Sequence, residues 1–402
     1  MADSRPVVLD ESLTLSEENL EILPSAWYAD PAAFQLEQEE IVSRTWQYAG
    51  PAGMVEKPYQ FVSTQLGSLP VVVTRDGDGK LHAMANVCQH RGSIVASGHG
   101  YCKALKCPYH GWTYGLDGTL QRPLGMAVEV DPKEFSLAPL AATTWGPFLF
   151  VGPAGMDDID NFFDPLPARL RDTGLNWDDL HLRDSRSYEI EANWKVVTEN
   201  YIECYHCGHV HPDYAKYVDM DTYSWEYGSF YEAQAGPAHP AAFRDGYLRE
   251  DDAITDGLFV HVWPNFHIQV YPGDAHNLSA LHIRAVSPTK TVAVLEHYYG
   301  PESSEGEAIR ITEMFDQQLR EDWEICERVQ RGLTSGAYRA GRVSFDDYRP
   351  GRLNVAAAAG KTEEPLVHFH RLLHKALTAR RELRFGANGS SGNGHGPAAN
   401  GR

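Results

Sequence analysis

The sequence has no long apolar run and few cysteines. Its most apolar stretch, residues 137–153, is interrupted by three prolines and two threonines, which argues against a membrane span and favours a strand and a turn. The N-terminus shows no basic segment followed by an apolar one, as a secretory signal would have. Six cysteines in such a chain do not indicate a disulfide framework, and we expect a cytoplasmic protein without a membrane anchor.

Basic residues are also scarce. The chain has 35 Lys and Arg against 55 Asp and Glu, which gives a net charge of −20. Proteins that bind nucleic acid normally present a basic face, so no nucleic-acid partner is expected. An acidic surface is compatible with a cationic substrate.

The chain length of 402 residues suggests about two domains. Residues 46–155 show short strands and Asp-Gly turns, among them the hairpin LPVVVTRDGDGKLHAMANV, and this pattern predicts a small all-β unit. Residues 1–45 and 156–385 are expected to form an α+β unit, in which an antiparallel β-sheet is flanked by helices. The Gly/Ser/Asn-rich tail, 386–402, is predicted to be disordered.

Two short stretches of the β unit each combine a cysteine with a histidine: CQHRG at 88–92 and CPYHGW at 107–112. The usual zinc patterns pair like ligands in each half, whereas each half here offers one sulfur and one nitrogen. A [2Fe–2S] cluster with two thiolates on one iron and two imidazoles on the other is therefore favoured, and zinc is the alternative. Pro108 and Gly111 permit a tight loop, and Tyr109 is predicted to donate a hydrogen bond towards sulfur. The four candidate ligands are Cys88, His90, Cys107 and His110.

A second group of candidate ligands lies in ENYIECYHCGHVHP, residues 199–212. Non-haem iron that activates O2 is typically bound by two histidines and one carboxylate. His206 and His211 are the candidate histidines. Five residues correspond to about 140° of rotation on a straight helix, so the helix must loosen between them, and Gly208 is the expected place.

Three other residues of this stretch compete for a role at the metal. His209 is expected to form hydrogen bonds near the site rather than to bind the ion. Cys204 and Cys207 lie three residues apart among aromatic side chains, where packing and metal ligation are equally open.

The carboxylate ligand has to come from elsewhere in the chain. On the predicted helix EGEAIRITEMFDQQLREDWEICERVQRGL, helical spacing predicts one apolar stripe. Asp322 falls inside that stripe, where a buried carboxylate needs a partner, either a metal ion or an arginine. The stripe consists of Phe315, Leu319, Cys326 and Val329.

The two Cys/His stretches resemble the Rieske family, because CQHRG and CPYHGW match its C-x-H-R-G and C-P-Y-H-G-W motifs residue by residue. The resemblance implies that Cys88 and Cys107 bind one iron of the cluster and that His90 and His110 bind the other. Such a cluster moves single electrons. This chain is much longer than an electron carrier requires, so a second function is expected.

The downstream part resembles the alpha (catalytic) subunit of Rieske non-haem iron oxygenases. That family carries N-W-K…E-N, then D/E-x2-H-x4-H, then an aspartate on a later helix, and this chain has NWKVVTEN, ECYHCGHVH and EDWEICERVQRGL in that order. The resemblance implies a mononuclear Fe(II) bound by His206, His211 and Asp322, with O2 as co-substrate. It further implies that Glu203 links His110 of one subunit to His206 of the next, within a homotrimer.

The resemblance also implies the source of electrons. They would come from NAD(P)H through a separate flavin/iron–sulfur reductase, and no G-x-G-x-x-G segment opens a helix in this chain. The expected reaction is hydroxylation or N-demethylation of a small organic substrate. The ECYHC form is similar to the branch that acts on quaternary ammonium compounds such as betaines and carnitine.

A trimethylammonium substrate would favour an aromatic cage with cation–π contacts. The alternative is an aromatic-ring or aromatic-acid hydroxylating oxygenase, in which an arginine such as Arg284 would anchor the substrate. More remote alternatives are a Rieske electron carrier and a zinc-binding protein without oxygenase activity. The candidate cage residues are Tyr201, Tyr205, Trp225, Trp263 and Tyr271.

Overall fold

The computed structural model describes residues 22–125, 131–176, 179–273, 276–338, 341–344 and 362–388. The N-terminal part assigned to the α+β unit contains helix α1, Pro31–Glu40, which begins after Asp30. The side chain of Asp30 accepts a hydrogen bond from the amide of Ala32 at 2.7 Å and so caps the helix. Residues 1–21 and most of the predicted tail, 389–402, lie outside the described residues.

The β unit consists of two antiparallel sheets. The strands are β1 Gln47–Pro51, β2 Gln60–Leu66, β3 Leu69–Arg75, β4 Leu81–Ala85, β5 His99–Tyr101, β6 Leu105–Lys106, β7 Thr113–Tyr114, β8 Leu120–Arg122, β9 Pro139–Trp145 and β10 Phe148–Gly152. The larger sheet has the strand order β1-β10-β9-β4-β3-β2-β5, and the smaller has the order β6-β7-β8. The predicted hairpin is confirmed as β3 and β4, and the side chain of Asp76 shapes its turn by accepting hydrogen bonds from the amides of Asp78 and Lys80.

The α+β unit has one antiparallel sheet of seven strands, flanked by helices. The elements are α2 Ile159–Phe163, α3 Leu166–Arg171, β11 His181–Ile190, α4 Trp194–Tyr201, α5 Cys207–Val210, α6 Pro212–Tyr217, β12 Ser224–Tyr227, β13 Tyr231–Gly236, α7 Pro240–Arg244, β14 Gly257–Val262, β15 Phe266–Val270, β16 Asn277–Ser287, β17 Lys290–Tyr299, α8 Glu305–Thr334 and α9 Glu364–Asn388. The strand order of this sheet, which we call the catalytic sheet, is β11-β17-β16-β15-β14-β13-β12. The predicted long helix is confirmed as α8. The last helix continues to residue 388, so the first three residues of the predicted tail are helical.

One face of the sheet of the α+β unit packs on helices α4, α8 and α9, and the other face packs on the β unit. The ring of Tyr48 in β1 stacks on Phe266 in β15 at 4.8 Å between centroids. Its hydroxyl lies 3.2 Å from the hydroxyl of Tyr298 and hydrogen-bonds to Glu296. The two units therefore share a hydrophobic interior.

The apolar stripe predicted on α8 is correct over most of its length. Phe315, Leu319 and Cys326 are buried, but Val329 is 44% exposed. At about 100° per residue, Val329 lies about 40° from the line of Phe315, whereas Leu333 lies five full turns away on the same line and is buried. No helix within the described ranges combines the length and apolar character needed to cross a bilayer.

A buried ion pair fixes the N-terminal segment to helix α4. The ammonium of Lys195 lies 2.6 Å from a carboxylate oxygen of Glu37, and both side chains are fully buried. The indole of Trp194 donates to the other oxygen of Glu37 at 2.8 Å, and Asn193 accepts a bond from the same ammonium at 2.9 Å. The NWK motif thus holds α1 against the start of α4.

We expect Lys195→Met to lower the free energy of unfolding by about 3–5 kcal/mol, because it leaves the carboxylate of Glu37 buried without its counter-ion. The exposed pair of Lys290 with Glu189 (2.8 Å) is a matched control, and Lys290→Met should cost no more than about 1 kcal/mol. Urea unfolding followed by circular dichroism measures both. Equal losses in the two variants would contradict this assignment.

Candidate metal centres and the adjoining cavity

The two Cys/His loops of the β unit are built alike. In the first, the amide of Gly92 donates to the carbonyl of Cys88 at 2.9 Å, and in the second the amide of Gly111 donates to the carbonyl of Cys107 at 3.1 Å. Both glycines have a positive φ, +72° and +73°, a conformation that other residues rarely adopt. This is the tight loop predicted at Gly111, and each loop turns its cysteine and its histidine towards the other loop.

The four candidate cluster ligands lie together and suit a metal cluster. Both cysteines are buried, and the rings of His90 and His110 lie 4.7 Å apart between centroids. The Nδ1 atom of His90 is buried without a hydrogen-bond partner among the described residues, as expected of a nitrogen reserved for a metal. Burial opposes ionisation of Cys107, but hydrogen bonds from the amides of Tyr109 and His110 and from Cys88 outweigh it and lower the pKa of the thiol.

The predicted hydrogen bond from Tyr109 to sulfur is wrong, because that side chain is 56% exposed. The hydroxyl of Tyr114 takes this place, 3.2 Å from Sγ of Cys88. Trp112 and Tyr114 are buried, and Thr113 between them is less buried. As in a strand, the two aromatic side chains therefore share one face and Thr113 lies on the other. That alternation in the sequence could have identified Tyr114.

The second candidate site brings together the three residues proposed from the sequence. The Nε2 atoms of His206 and His211 lie 3.4 Å and 2.8 Å from Oδ1 of Asp322. One possible ligand atom from each residue lies within 4.8 Å of the others. His209 lies outside this group and is exposed. Two histidines and one carboxylate form the donor set of O2-activating non-haem iron.

The local chain path differs from the expected continuous helix with a loose point at Gly208. Helix α4 ends at Tyr201, the next residues are not helical, and His206 directly precedes the single-turn helix α5. His211 directly follows α5 and has a non-helical backbone (φ −120°, ψ 65°), after which Pro212 begins α6. Breaks on both sides of α5, rather than a bend at Gly208, allow both imidazoles to face α8.

Each of these imidazoles is held from behind by a glutamate. Glu203 lies 2.6 Å from Nδ1 of His206, and Glu321 lies 2.7 Å from Nδ1 of His211. Such carboxylates fix the orientation of a ligating histidine and leave Nε2 for the metal. Glu321 was not identified from the sequence, because helical spacing places it about 100° from Asp322 and outside the apolar stripe.

The electrostatics of this group favour a bound cation. Burial alone would raise the pKa of Asp322, but hydrogen bonds from His206 and His211 outweigh it and lower the pKa. Burial would lower the pKa of both histidines, but Asp322 and the glutamates raise it, to about 10 for His206. The ionised carboxylate of Asp322 therefore holds positive charge on the two imidazoles. A metal ion can replace the two protons that the Nε2 atoms of His206 and His211 would otherwise carry.

Cys204 and Cys207 form a disulfide bond, with their Cα atoms 4.9 Å apart. The sequence pattern left packing and metal ligation open for these two cysteines and did not predict a disulfide. Because the chain between them is not a regular helix, it brings the two sulfurs together. Both residues are buried against Trp225 and Tyr223.

Two comparisons with known families cover most of the chain. The Rieske [2Fe-2S] domain matches residues 45–128, and the ring hydroxylating alpha subunit (catalytic domain) matches residues 177–379. The chain belongs to the Rieske non-haem iron oxygenases. This family carries a Rieske [2Fe–2S] cluster and a mononuclear iron that uses O2.

Similar proteins of the same family support this membership. Choline monooxygenase of Spinacia oleracea is 33% identical over 88% of this chain and 78% of its own length. The carnitine monooxygenase oxygenase subunit of Escherichia coli K12 is 27% identical over 91% and 96%. A solved quaternary ammonium Rieske monooxygenase in complex with L-carnitine superposes with a TM-score of 0.77, at 26% identity, over 92% of this chain and 99% of that one.

A cavity of about 400 Å³ adjoins the iron site of this oxygenase. It shares His211, Tyr214, Tyr271 and Gln318 with a smaller pocket that also contains His206 and Asp322. Further along, the cavity is bordered by Tyr217 and Tyr247, whose rings stack at 4.5 Å.

The candidate cage residues separate into two groups. Tyr201 and Tyr271 border the smaller pocket. Tyr205 is 47% exposed, Trp225 is buried against the disulfide, and Trp263 is buried in the core beside Phe369, so none of these three borders either space. The proposed anchor Arg284 borders a different cavity, together with His282 and Glu296. Tyr214, Tyr217 and Tyr247, which were not among the candidates, border the larger cavity instead, and their positions depend on contacts between distant segments.

The geometry predicts that Asp322→Ala removes the mononuclear iron and leaves the cluster. Iron per chain should fall by the one mononuclear ion, while the visible absorption of the cluster stays unchanged. Glu324→Ala is the control, because Glu324 lies on the same helix and is 66% exposed. Full iron content in Asp322→Ala, measured by mass spectrometry of the metal, would rule out this ligand.

Proposed function

We propose that this chain is the terminal oxygenase component that oxygenates a quaternary ammonium compound. In this proposal Cys88, Cys107, His90 and His110 hold the Rieske cluster. His206, His211 and Asp322 hold the mononuclear iron.

The observation that carries the proposed substrate is the ring of tyrosines beside the iron site. Tyr214 and Tyr271 lie where the two spaces meet, and their rings can face a trimethylammonium group. Cation–π contacts of this kind are worth about 0.5–2 kcal/mol each and do not require a hydrogen-bond donor on the cation, which a trimethylammonium group lacks. The carboxylate of Glu321 borders the cavity and adds attraction for positive charge, and the named relatives are choline and carnitine monooxygenases.

The residues of the chain have distinct tasks in this reaction. When bound, the cluster supplies single electrons and the mononuclear iron activates O2. Glu321 and Glu203 keep the two histidines in the orientation that presents Nε2 to the metal. The hydroxyl of Tyr271 donates to Gln318 at 2.9 Å, which fixes the face that this ring turns to the substrate.

We further propose a homotrimer supplied with electrons from NAD(P)H by a separate flavin/iron–sulfur reductase, in the cytoplasm. His110 is exposed on the β unit, and Glu203 lies on the other unit, hydrogen-bonded to His206. An exposed ligand and a carboxylate behind the iron site suit a contact between neighbouring subunits. In that arrangement Glu203 would accept a hydrogen bond from His110 of the next chain.

Glu203→Gln should slow reoxidation of the reduced cluster about 10–100-fold in a single turnover with substrate and O2, because the bridging charge is lost. Iron content and the trimeric mass by analytical ultracentrifugation should stay unchanged. Glu324→Gln provides the control. A monomer in solution, or reoxidation at the wild-type rate in Glu203→Gln, would contradict the inter-subunit bridge.

The substrate class is tested with chemically reduced enzyme and O2. Choline, carnitine and glycine betaine are compared with benzoate and other aromatic acids, and products are identified by mass spectrometry. We expect oxygen insertion into one or more quaternary ammonium compounds and none into the aromatic acids. Oxygenation of aromatic acids alone would replace this proposal with the aromatic alternative.

A further inference from the structure

A pair of cysteines lies beside the metal-binding side of His206. Cys204 and Cys207 flank this histidine in sequence, and both border the smaller pocket that also contains His211 and Asp322. The Sγ atom of Cys207 lies 4.0 Å from Nε2 of His206, the nitrogen that faces the metal. Two oxidisable sulfurs therefore adjoin the site at which this family uses O2, and the function proposed above assigns no task to them.

The local chain path suits reversible oxidation of this pair. The amide of Cys207 donates a hydrogen bond to the carbonyl of Cys204 at 3.1 Å, which closes a tight turn and brings the two side chains together as a disulfide. The C-x-x-C spacing is typical of disulfide oxidoreductases, and disulfides of cytoplasmic proteins are usually transient and catalytic or redox-sensing. The other four cysteines of the chain are free thiols: Cys88, Cys102, Cys107 and Cys326.

The metal ligands are assembled while the pair is oxidised. With the two sulfurs bonded, Nε2 of His206 lies 3.4 Å from Oδ1 of Asp322, and Glu203 lies 2.6 Å from Nδ1 of the same histidine. The disulfide is thus compatible with the arrangement of two histidines and one carboxylate. The pair can therefore take part in a redox reaction without displacing the ligands beside it.

Access to the pair is restricted to small molecules within the pocket. Cys204 and Cys207 are 3% and 5% exposed and pack on Tyr223 and Trp225. The pocket has a volume of about 60 Å³, which has room for a molecule as small as hydrogen peroxide. Because Trp225 does not border this pocket, an oxidant formed there meets the two sulfurs before it meets that indole.

We propose that Cys204 and Cys207 form a peroxide-reducing dithiol that protects the iron pocket from oxidative damage. O2 that takes up two electrons and two protons, without oxygenating a substrate, becomes hydrogen peroxide. The chemical class of the substrate of this second site is therefore a small peroxide. This inference rests on the iron site of the proposed function and is independent of the quaternary ammonium substrate.

The reaction of the pair has two steps. The sulfur of Cys207 attacks one oxygen of the peroxide, the O–O bond breaks, and a sulfenic acid and one water form. The thiol of Cys204 then attacks this sulfur, the S–S bond forms, and the hydroxyl leaves as a second water. The two thiols thus supply the two electrons that reduce one peroxide to two waters, and an external dithiol restores them by thiol–disulfide exchange.

The first test adds one equivalent of hydrogen peroxide, without O2, to holoenzyme whose disulfide has been reduced with dithiothreitol. Alkylation and mass spectrometry should find the disulfide between Cys204 and Cys207. It should form at least about tenfold faster than Cys102 is oxidised, because a sulfenic acid beside a second thiol is trapped at once. Cys102 is the internal control, because it is less buried but forms no disulfide. Dithiothreitol should then restore both thiols.

Single variants separate the tasks of the two sulfurs. In Cys204→Ser, we expect peroxide to leave a sulfenic acid on Cys207, which dimedone traps as a stable adduct. In Cys207→Ser, we expect no such adduct on Cys204, because the sulfur beside Nε2 of His206 is missing. Cys102→Ser is the matched control and should form the disulfide as the wild type does.

The link to the iron site is tested with O2 in place of peroxide. Reduced holoenzyme exposed to O2 without substrate should form the disulfide, whereas Asp322→Ala should form it only when peroxide is added. The double variant Cys204→Ser/Cys207→Ser should contain as much iron as the wild type before exposure. After repeated exposure it should accumulate oxidised Trp225, which mass spectrometry detects and which the wild type should lack.

Four results would overturn the inference. Oxidation of Cys102 as fast as that of the pair removes the peroxide site, and a dimedone adduct on Cys204 rather than Cys207 removes the assigned order of attack. If added peroxide oxidises the wild-type pair but O2 does not, the iron site is not the source of its substrate. Equal oxidation of Trp225 in the wild type and the double variant removes the protective role. A wild-type chain without mononuclear iron would instead contradict the proposed function, while added peroxide still tests the pair.

Discussion

The bonds of Asp322 to two histidines connect parts of the chain that are far apart in sequence. His211 and Asp322 are 111 positions apart, yet their side chains meet at 2.8 Å inside the protein. A buried carboxylate is stable only with positive charge beside it. The helix must therefore break before His206, and α8 must pack on the sheet, for the histidines and Asp322 to meet. The seven-stranded sheet supplies the rigid surface on which both segments are fixed.

Much of this architecture was predictable from local pattern. The two Cys/His loops are closed by hydrogen bonds within a few residues, so their geometry is encoded in CQHRG and CPYHGW themselves. Helical phase alone placed Asp322 on the buried side of α8, where it lies. Strands, hairpin and long helix followed from periodicity, because alternation and the 3.6-residue repeat do not depend on distant partners.

The parts that failed depend on contacts between distant segments. Whether Tyr205 or Tyr247 faces the cavity is decided by how loops are positioned over the sheet, and no spacing within the loop reports it. Glu321 could not be identified from the sequence, because the histidine that it supports comes from a different part of the chain. The disulfide forms across an irregular turn, and it was not expected because these residues were interpreted as part of a helix. Val329 is exposed because the buried side of α8 passes through Leu333 at the end of the helix.

The stacking of Tyr48 on Phe266 has a consequence for how electron transfer is organised. Aromatic rings of the β unit, among them Phe148 and Phe150, contact the face of the catalytic sheet directly, and the hydroxyl of Tyr48 is satisfied by Glu296 on that sheet. If the β unit were removed at the domain boundary, it would expose an apolar face. The buried carboxylate of Glu296 on the catalytic sheet would lose the hydrogen bond from Tyr48. The redox unit is therefore an integral part of this enzyme rather than a tethered shuttle, and its distance to the iron of its own chain is fixed when the chain folds.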